Sequence, residues 1–215
     1  MTHPDPVTVQ IVRNCVSSLM EEMDYRFYRS GYSTIVRESR DFSCVVTDRQ
    51  GRLAIAPPMF FHGPVYFHLV QRILELYGEE GLADGDTLVC NHPYEGNLPH
   101  LPDMALVTPV FHDGALVAFT ASIAHKADMG GAVPGSTWGQ ATELFHEGLL
   151  LPPVKIVKAI ADFSQKEWEV ALAINDDAKD GWAVSPEFGK RHVAAFQFES
   201  PVDIAETDEV VVTLD

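Results

Sequence analysis

Apolar positions recur every three or four residues in two segments of the chain, and this spacing predicts two helices. The first begins after Asp5, a helix-capping residue followed by proline, and ends near Gly31. The second begins at Gly63 and ends at Tyr77. The positions that form one apolar face of each helix are Val9, Val12, Val16, Met20 and Met23 in the first, and Val65, Leu69, Ile73 and Leu76 in the second.

Shorter apolar runs, bounded by glycine-bearing turns, predict strands. Two of these turns, Asp48 to Gly51 and His112 to Gly114, are short enough to connect antiparallel hairpins. The pattern therefore predicts an α+β fold of mixed helices and antiparallel hairpins over residues 1–157, with a small β-rich appendage over residues 158–215. The predicted strands are residues 44–47, 53–56, 87–90, 104–111, 115–124, 193–198 and 210–214.

Composition and charge narrow the class of protein. Hydrophobic residues make up 46% of the 215 residues, which is typical of a folded globular chain. The net charge of −16 repels phosphate backbones and anionic lipids, so nucleic-acid and membrane partners are not expected. The polar, proline-bearing N-terminus does not resemble a signal peptide, and we expect a cytoplasmic protein. The three cysteines form no CxxC pair, and their apolar neighbours predict buried thiols.

A four-residue pattern, in which aspartate follows histidine by three positions, occurs twice in the sequence. One copy lies just before the predicted hairpin of residues 104–124, and the other lies just after it. His100 and Asp103 precede its first strand, and His125 and Asp128 follow its second. Because the strands of a hairpin return to their starting point, both pairs should meet at one end. Two imidazoles and two carboxylates suit a divalent ion such as Mn²⁺, Fe²⁺ or Zn²⁺. Either pair alone is common without function, so the prediction depends on their convergence.

Other residues are weaker candidates for contact with a substrate or with the metal ligands. Three of them have a plainer interpretation: a solvated turn for the charged run that ends at Asp41, an ordinary loop histidine for His62, and a solvated helix face for Glu143. The chain contains no phosphate loop with its lysine and no G-x-S-x-G turn. The full set of these candidates is Asp41, His62, His92 and Glu143.

Several motifs, in order along the chain, resemble the hydantoinase B/oxoprolinase family. Residues 37–44 (RESRDFSC) and residues 91–103 (NHPYEGNLPHLPD) resemble two of its characteristic segments. The resemblance continues through residues 124–131 (AHKADMGG), 141–143 (ATE) and 147–155 (EGLLLPPVK). Together these motifs cover about the first 155 residues, and their shared order makes the resemblance specific.

The resemblance implies ATP-dependent chemistry on a small cyclic amide or a ketone. The family includes N-methylhydantoinase B subunits, the second half of 5-oxoprolinases and a subunit of acetone carboxylase. It implies a partner of the hydantoinase A/oxoprolinase type, which uses ATP to activate the substrate, and a divalent metal, with Mn²⁺ or Zn²⁺ expected. Carried over by position, the implied metal ligands are His100, Asp103, His125 and Asp128.

The chain departs from the family pattern in two places. The family's usual aspartate in its NDPY motif is His92 here, which changes the charge of that loop. After residue 155 the expected continuation is missing. Residues 161–196 instead resemble a segment of planctomycete cytochrome c-associated proteins that is similar to part of a discoidin-like β-sandwich, a fold that often binds sugars.

Three functions from different classes therefore compete. The first is a metal-dependent subunit fragment that hydrolyses hydantoin- or 5-oxoproline-type amides together with an ATP-binding partner. The second is a truncated or fused module that keeps only metal binding, because most of the family's length is missing. The third is a carbohydrate-binding appendage in which Trp168 and Trp182 stack on sugar rings.

Overall fold

Seven strands form one antiparallel sheet in the computed structural model, which describes residues 5–31, 33–55, 62–161, 192–199 and 209–214. Their order across the sheet is β1-β4-β3-β2-β5-β6-β7, and every neighbouring pair is antiparallel. In chain order the strands are β1 (Phe42–Asp48), β2 (Leu88–Cys90), β3 (Asp103–His112), β4 (Ala115–His125), β5 (Val154–Ala161), β6 (His192–Phe198) and β7 (Glu209–Leu214).

Two helices pack on opposite faces of β1. Helix α1 (Pro6–Ser30) begins at Asp5, whose side chain accepts a hydrogen bond from the Thr8 amide. Helix α2 (Gly63–Tyr77) is the predicted second helix, and its buried face belongs to the main core together with Val45. Alternate residues of a strand point to opposite faces, so Phe42 and Cys44 contact the second half of α1 instead. The residues of α1 in that contact are Met23, Phe27 and Tyr28.

The predicted α+β class is confirmed, and so is the central hairpin. Asp103 pairs with His125 at one end of β3 and β4, and His112 pairs with Ala115 at the turn. The hairpin predicted over residues 44–56 is only partly correct. Its second strand is reduced to a single bridge between Thr47 and Leu53. The Asp48 carboxylate holds the turn by accepting two backbone hydrogen bonds, and the whole of β1 pairs with β4 on its other side.

Strand β5 crosses the predicted domain boundary at residue 157. Its first residues pair with β2, and its later residues pair with β6, which joins the appendage to the main sheet. Phe198 packs there in a small core cluster with Val89, Leu151 and Val154. The boundary itself stays a prediction, and Trp168 and Trp182 lie outside the described residues.

Two predictions about burial are wrong in the first half of α1. Val9 and Val12 are 48% and 56% exposed, although they continue the stripe of the buried Met20. Cys15 is also exposed, whereas Cys44 and Cys90 are buried as predicted. The apolar spacing identified the helix correctly, but β1 contacts only its second half. Among the described residues no helix has the length and apolar character needed to cross a membrane.

Candidate metal centre

The end of the β3–β4 hairpin gathers three of the four predicted ligands. Asp103 and His125 face each other as the terminal pair of the ladder. The Nε2 atom of His100 lies 3.3 Å from the Asp103 carboxylate. The imidazole rings of His100 and His125 meet edge to face, with 5.0 Å between their centroids. The hairpin therefore brings these three side chains together at the end of the sheet where β3 begins and β4 ends.

The residues just before β1 bring Asp41 to the same end. Arg40 adopts a left-handed conformation (φ 52°), which is costly for a residue with a Cβ, and its guanidinium stacks 4.6 Å over the Tyr28 ring. The chain reverses there, and the Asp41 carbonyl accepts a 3.0 Å hydrogen bond from the His125 amide. The charged run is therefore a structured turn next to the hairpin end.

Helix α2 contributes His62 from its N-terminal end. His62 is fully buried, and its Nε2 atom lies 3.7 Å from the Asp103 carboxylate. One ligand atom from each of Asp41, His62 and Asp103 lies within 4.8 Å of the other two. These three residues come from three separate elements, and together with His100 and His125 they form the group that we call the His/Asp centre.

The electrostatics of the His/Asp centre favour an ionised Asp103. Burial raises the pKa of its carboxyl, but the imidazoles of His100 and His62 outweigh burial and bring that pKa down to about 2. The pKa of His100 is raised, first by its hydrogen bond to Asp103 and further by the charges of Glu147 and Asp41, against an opposing contribution from partial burial. The centre therefore concentrates negative charge that attracts a proton or a cation.

Two buried polar atoms of the centre fit a metal ion. Oδ1 of Asp103 and Nδ1 of His125 are buried, and neither has a hydrogen-bond partner among the described residues. Such atoms are costly unless something binds them. Carboxylate oxygen and imidazole nitrogen are the donors that Mn²⁺, Fe²⁺ and Zn²⁺ accept. The residues present therefore fit the divalent ion that the sequence predicts.

The fourth predicted ligand, Asp128, has its carboxylate engaged in its own loop. One oxygen accepts hydrogen bonds from the Gly130 amide and the Ser136 hydroxyl, and the other accepts from the Gly135 amide. These bonds lower the pKa of Asp128, with Gly135 the largest contributor. The Ser136 hydroxyl also accepts from the Met129 amide. In this structure Asp128 closes the loop that follows β4 and is not part of the compact three-residue group.

Two of the weaker candidates lie outside the compact group. The Nδ1 atom of His92 accepts hydrogen bonds from the Tyr94 and Glu95 amides, so it caps the turn in which it lies. A carboxylate oxygen can cap a turn in the same way, which is a physical reason why histidine is accommodated where the family has aspartate. Burial lowers the pKa of His92, against the charge of Glu95, which favours this neutral, accepting form. Glu143 is exposed, before the short helix Leu144–Glu147.

Sequence reasoning missed two residues that hold His62. The Ser43 hydroxyl lies 3.0 Å from Nδ1 of His62 and 2.7 Å from the Tyr66 hydroxyl. The Tyr66 hydroxyl also donates to the Ser43 carbonyl at 2.9 Å. A usable signal was present: Tyr66 follows His62 by four residues at the start of a predicted helix, and Ser43 lies two positions after Asp41, which is the spacing of one strand face.

Comparisons with known proteins identify relatives of this chain. The chain is 37% identical over 155 residues to 5-oxoprolinase 1 of Arabidopsis thaliana, covering 72% of this chain and 12% of that protein. It is 33% identical over 159 residues to the putative D-/L-hydantoinase B subunit of Pseudomonas sp. (strain NS671), covering 71% of this chain and 26% of that protein. The crystal structure of ATP-dependent caprolactamase from Pseudomonas jessenii matches with a TM-score of 0.64 and 28% identity, over 72% of this chain and 27% of that one.

In each of these comparisons the chain spans less than a third of the relative's own length. The family match itself runs from residue 5 to residue 177 and so includes all five residues of the His/Asp centre. It also extends past residue 157, into the segment for which the sequence predicts a discoidin-like origin. Because the match covers well over half of its residues, the chain belongs to the hydantoinase B/oxoprolinase family.

Proposed function

We propose that the chain is the metal-binding part of a hydantoinase B-type subunit that hydrolyses a small cyclic amide of the hydantoin or 5-oxoproline type. The single observation that supports this most is the compact group of Asp41, His62 and Asp103, of which the last two are buried, with His100 and His125 beside it, in a chain of this family. A divalent ion, Mn²⁺ or Zn²⁺, is the proposed cofactor, held by the five residues of the His/Asp centre.

The proposed chemistry follows from what each kind of side chain can do. A divalent ion supplies Lewis acidity, which polarises a carbonyl or a phosphorylated intermediate. Asp103, ionised and buried, provides the fixed negative charge that holds the ion. His100 is 40% exposed at the edge of the centre, so a ligand imidazole there would lie next to solvent and substrate.

ATP enters this proposal only through a partner. The relatives include an ATP-dependent caprolactamase and a putative hydantoinase B subunit, and a protein so named implies a second, different subunit. The sequence of this chain contains no phosphate-binding loop. We therefore propose that a partner of the hydantoinase A/oxoprolinase type activates the substrate and that this chain contributes the metal.

The first prediction concerns metal binding. The purified chain should bind about one Mn²⁺ or Zn²⁺ in a calorimetric titration, and binding should weaken below about pH 6 because ligand imidazoles must be neutral. Two variants should each lower the affinity at least tenfold: Asp103→Asn and the double variant His100→Ala/His125→Ala. His112→Ala and His68→Ala, both at exposed histidines, should leave it unchanged. Equal metal content in wild type and in both ligand variants would show that the site is misassigned.

A second candidate is a module that binds metal without catalysis. The observation in its favour is coverage, because the chain spans only 12% and 26% of the two enzyme relatives. We predict that the chain alone opens neither hydantoin nor 5-oxoproline rings, with or without ATP, since its sequence contains no nucleotide-binding motif. Chromatographic detection of ring-opened product measures this.

The two candidates separate when a partner is added. With the ATP-binding partner of a hydantoinase, metal-loaded chain should support ATP-dependent ring opening if the first proposal holds, and the Asp103→Asn variant should not. A folded, metal-bound chain that stays inactive with the partner would favour the non-catalytic module. Turnover by the chain alone would contradict the prediction. The carbohydrate-binding alternative for residues 158–215 stays a prediction, because the two tryptophans on which it depends are outside the described residues.

A further inference from the structure

Glu147 is tied to the loop that carries His100, although the two residues are far apart in the sequence. It is the last residue of the short helix that follows β4. The side-chain amide of Asn91 donates at 2.9 Å to the carbonyl of Leu101, which directly follows His100. The same amide donates at 2.7 Å to the carbonyl of Leu149, just beyond Glu147. One side chain therefore holds both segments together beside the His/Asp centre.

A second contact fixes the segment of Glu147 against the loop that follows β4. The His146 carbonyl accepts a 2.8 Å hydrogen bond from the Ala132 amide. The backbones approach so closely that a Cβ at Gly131 would lie 2.8 Å from the His146 carbonyl oxygen and 2.9 Å from the Glu147 carbonyl carbon. A residue larger than glycine would push the two segments apart. Glu147 is therefore anchored both to the loop before β3 and to the loop after β4.

The Glu147 carboxylate lies near the His100 imidazole, at the exposed edge of the centre. The pKa of His100 is raised first by its hydrogen bond to Asp103, and the negative charge of Glu147 raises it further. Glu147 is half-buried, and among the residues that the structure describes its side chain has no hydrogen-bond or ion-pair partner. His100 is 40% exposed. An imidazole and a carboxylate with unused acceptor atoms therefore lie together where solvent enters.

This combination of groups matches one edge of a cyclic amide. An open-chain amide is trans and places its carbonyl oxygen and its N–H on opposite sides. A small ring forces the amide bond into the cis form, so the two groups point outward side by side. That edge needs a positive group or a donor for its oxygen, next to an acceptor for its N–H. The His100 edge of the centre supplies the first, and the Glu147 carboxylate supplies the second through a charge-assisted hydrogen bond.

We propose that Glu147 is a substrate-binding residue whose carboxylate accepts the N–H of a cyclic amide, while the amide carbonyl lies toward His100. This inference rests on the proposed function and narrows its substrate class to cyclic amides that retain the ring N–H. A ring nitrogen that carries a methyl group offers no proton to Glu147, so such an amide should bind less well.

Two lactams that differ by one methyl group test this contact: pyrrolidinone, which has the N–H, and N-methylpyrrolidinone, which lacks it. Each is titrated into the zinc-loaded full chain, and binding is followed by shifts in the amide spectrum. Wild type should bind pyrrolidinone about tenfold or more tightly than its methylated form, the effect of one hydrogen bond to a charged group. In Glu147→Ala the affinity for pyrrolidinone should fall by about the same factor, and that for N-methylpyrrolidinone should stay within about twofold.

Glu143→Ala is the matched control, because it removes an exposed carboxylate at the start of the same short helix. It should bind both lactams as wild type does. Glu147→Gln keeps the size of the side chain and one neutral acceptor, so its preference for pyrrolidinone should lie between those of wild type and Glu147→Ala. A purely steric role makes a different prediction. If Glu147 only excludes the methyl group, Glu147→Ala should gain affinity for N-methylpyrrolidinone and keep its affinity for pyrrolidinone, and the inference would be overturned.

Zinc affinity separates this inference from the function on which it rests. Glu147→Ala should bind zinc within about threefold of wild type, because the proposal places Glu147 on the substrate and not among the metal ligands. A loss as large as that in Asp103→Asn would make Glu147 a ligand and overturn the inference. If wild type binds zinc but binds neither lactam, or binds both equally, the metal site stands and the substrate contact is wrong. If wild type binds no zinc, the proposed metal site fails, and the inference fails with it. Amide spectra of each variant establish that it is folded before any of these conclusions is drawn.

Discussion

Two of the His–Asp pairs among the described residues have similar separations but different surroundings. His100 and Asp103 are 3.3 Å apart with the carboxylate 4% exposed, whereas His112 and Asp113 are 3.6 Å apart and 79% and 93% exposed. Charges in water are screened and contribute little, but a buried carboxylate depends on its partners. Replacing the carboxylate by an amide should therefore lower the stability of the fold at Asp103 and leave it unchanged at Asp113.

A pH dependence of stability is expected in the metal-free chain. The folded-state pKa of Asp103 is lowered from 3.8 to about 2, so its contribution is present above about pH 4 and is lost as pH falls toward 2. The raised pKa of His100 acts in the other direction. The stabilisation that protonated His100 contributes is present below pH 6.5 and is lost as the pH rises above that value. The pair should stabilise the fold most between about pH 4 and 6.5, with Asp103 contributing about 2 kcal/mol.

Urea unfolding in the presence of a chelator tests this pH profile. The difference in unfolding free energy between wild type and Asp103→Asn should be largest near pH 5 and should shrink toward pH 2 and pH 8. Asp113→Asn is the matched control at the exposed pair and should show no such profile. A difference that stays constant across the pH range would mean that packing, and not ionisation, accounts for the effect of Asp103.

At the scale of secondary-structure elements, the sequence predicted contacts between segments that are close along the chain better than contacts between distant segments. The β3–β4 hairpin is local, so spacing alone predicted that residues flanking it meet, and His100, Asp103 and His125 do lie together. Asp128 obeys the same spacing, yet the glycine-bearing loop after it offers nearer donors in Gly130 and Gly135.

The other two members of the compact group come from distant elements. Asp41 precedes β1, which pairs with β4 across about 80 residues of chain, and His62 begins α2. A single sequence predicts that these elements exist but not which edge of the sheet β1 joins. Asp41 and His62 were therefore predicted only as neighbours of the site, and Ser43 and Tyr66 were not predicted at all.

The burial of helix α1 shows a similar limit to what the sequence can predict. Its period is correct along its whole length, but periodicity cannot say where the surface that it covers ends. Met23 and Phe27 face β1 and Met20 is buried, while Val9 and Val12 continue the stripe into an exposed region.

On the scale of the whole molecule, one continuous sheet connects the His/Asp centre to the appendage. The centre lies at the β1–β4–β3 side, and β6 and β7 lie beyond β5 at the other side. Phe198 reaches back to a cluster with Leu151, and the Leu151 amide donates to the Asn91 side chain. Asn91 in turn donates to the carbonyls of Leu101 and Leu149, which fixes the loop that leads into Asp103.

Truncation after residue 157 tests whether the appendage stabilises the centre or belongs to it. All five residues of the His/Asp centre precede the cut, so zinc affinity should stay within about threefold of the full chain. Stability should fall, because losing Phe198 uncovers Val89, Leu151 and Val154. The loss should resemble that of a buried phenylalanine replaced by alanine, roughly 3–5 kcal/mol. Phe198→Ala in the full chain should reproduce most of it, and Phe145→Ala, at a residue 64% exposed, should not.

A truncated chain that remains folded in its amide spectrum but loses zinc affinity by a large factor would place the appendage within the site. The boundary at residue 157 would then be wrong, and the connection from Phe198 through Leu151 and Asn91 would be the first place to look for the coupling.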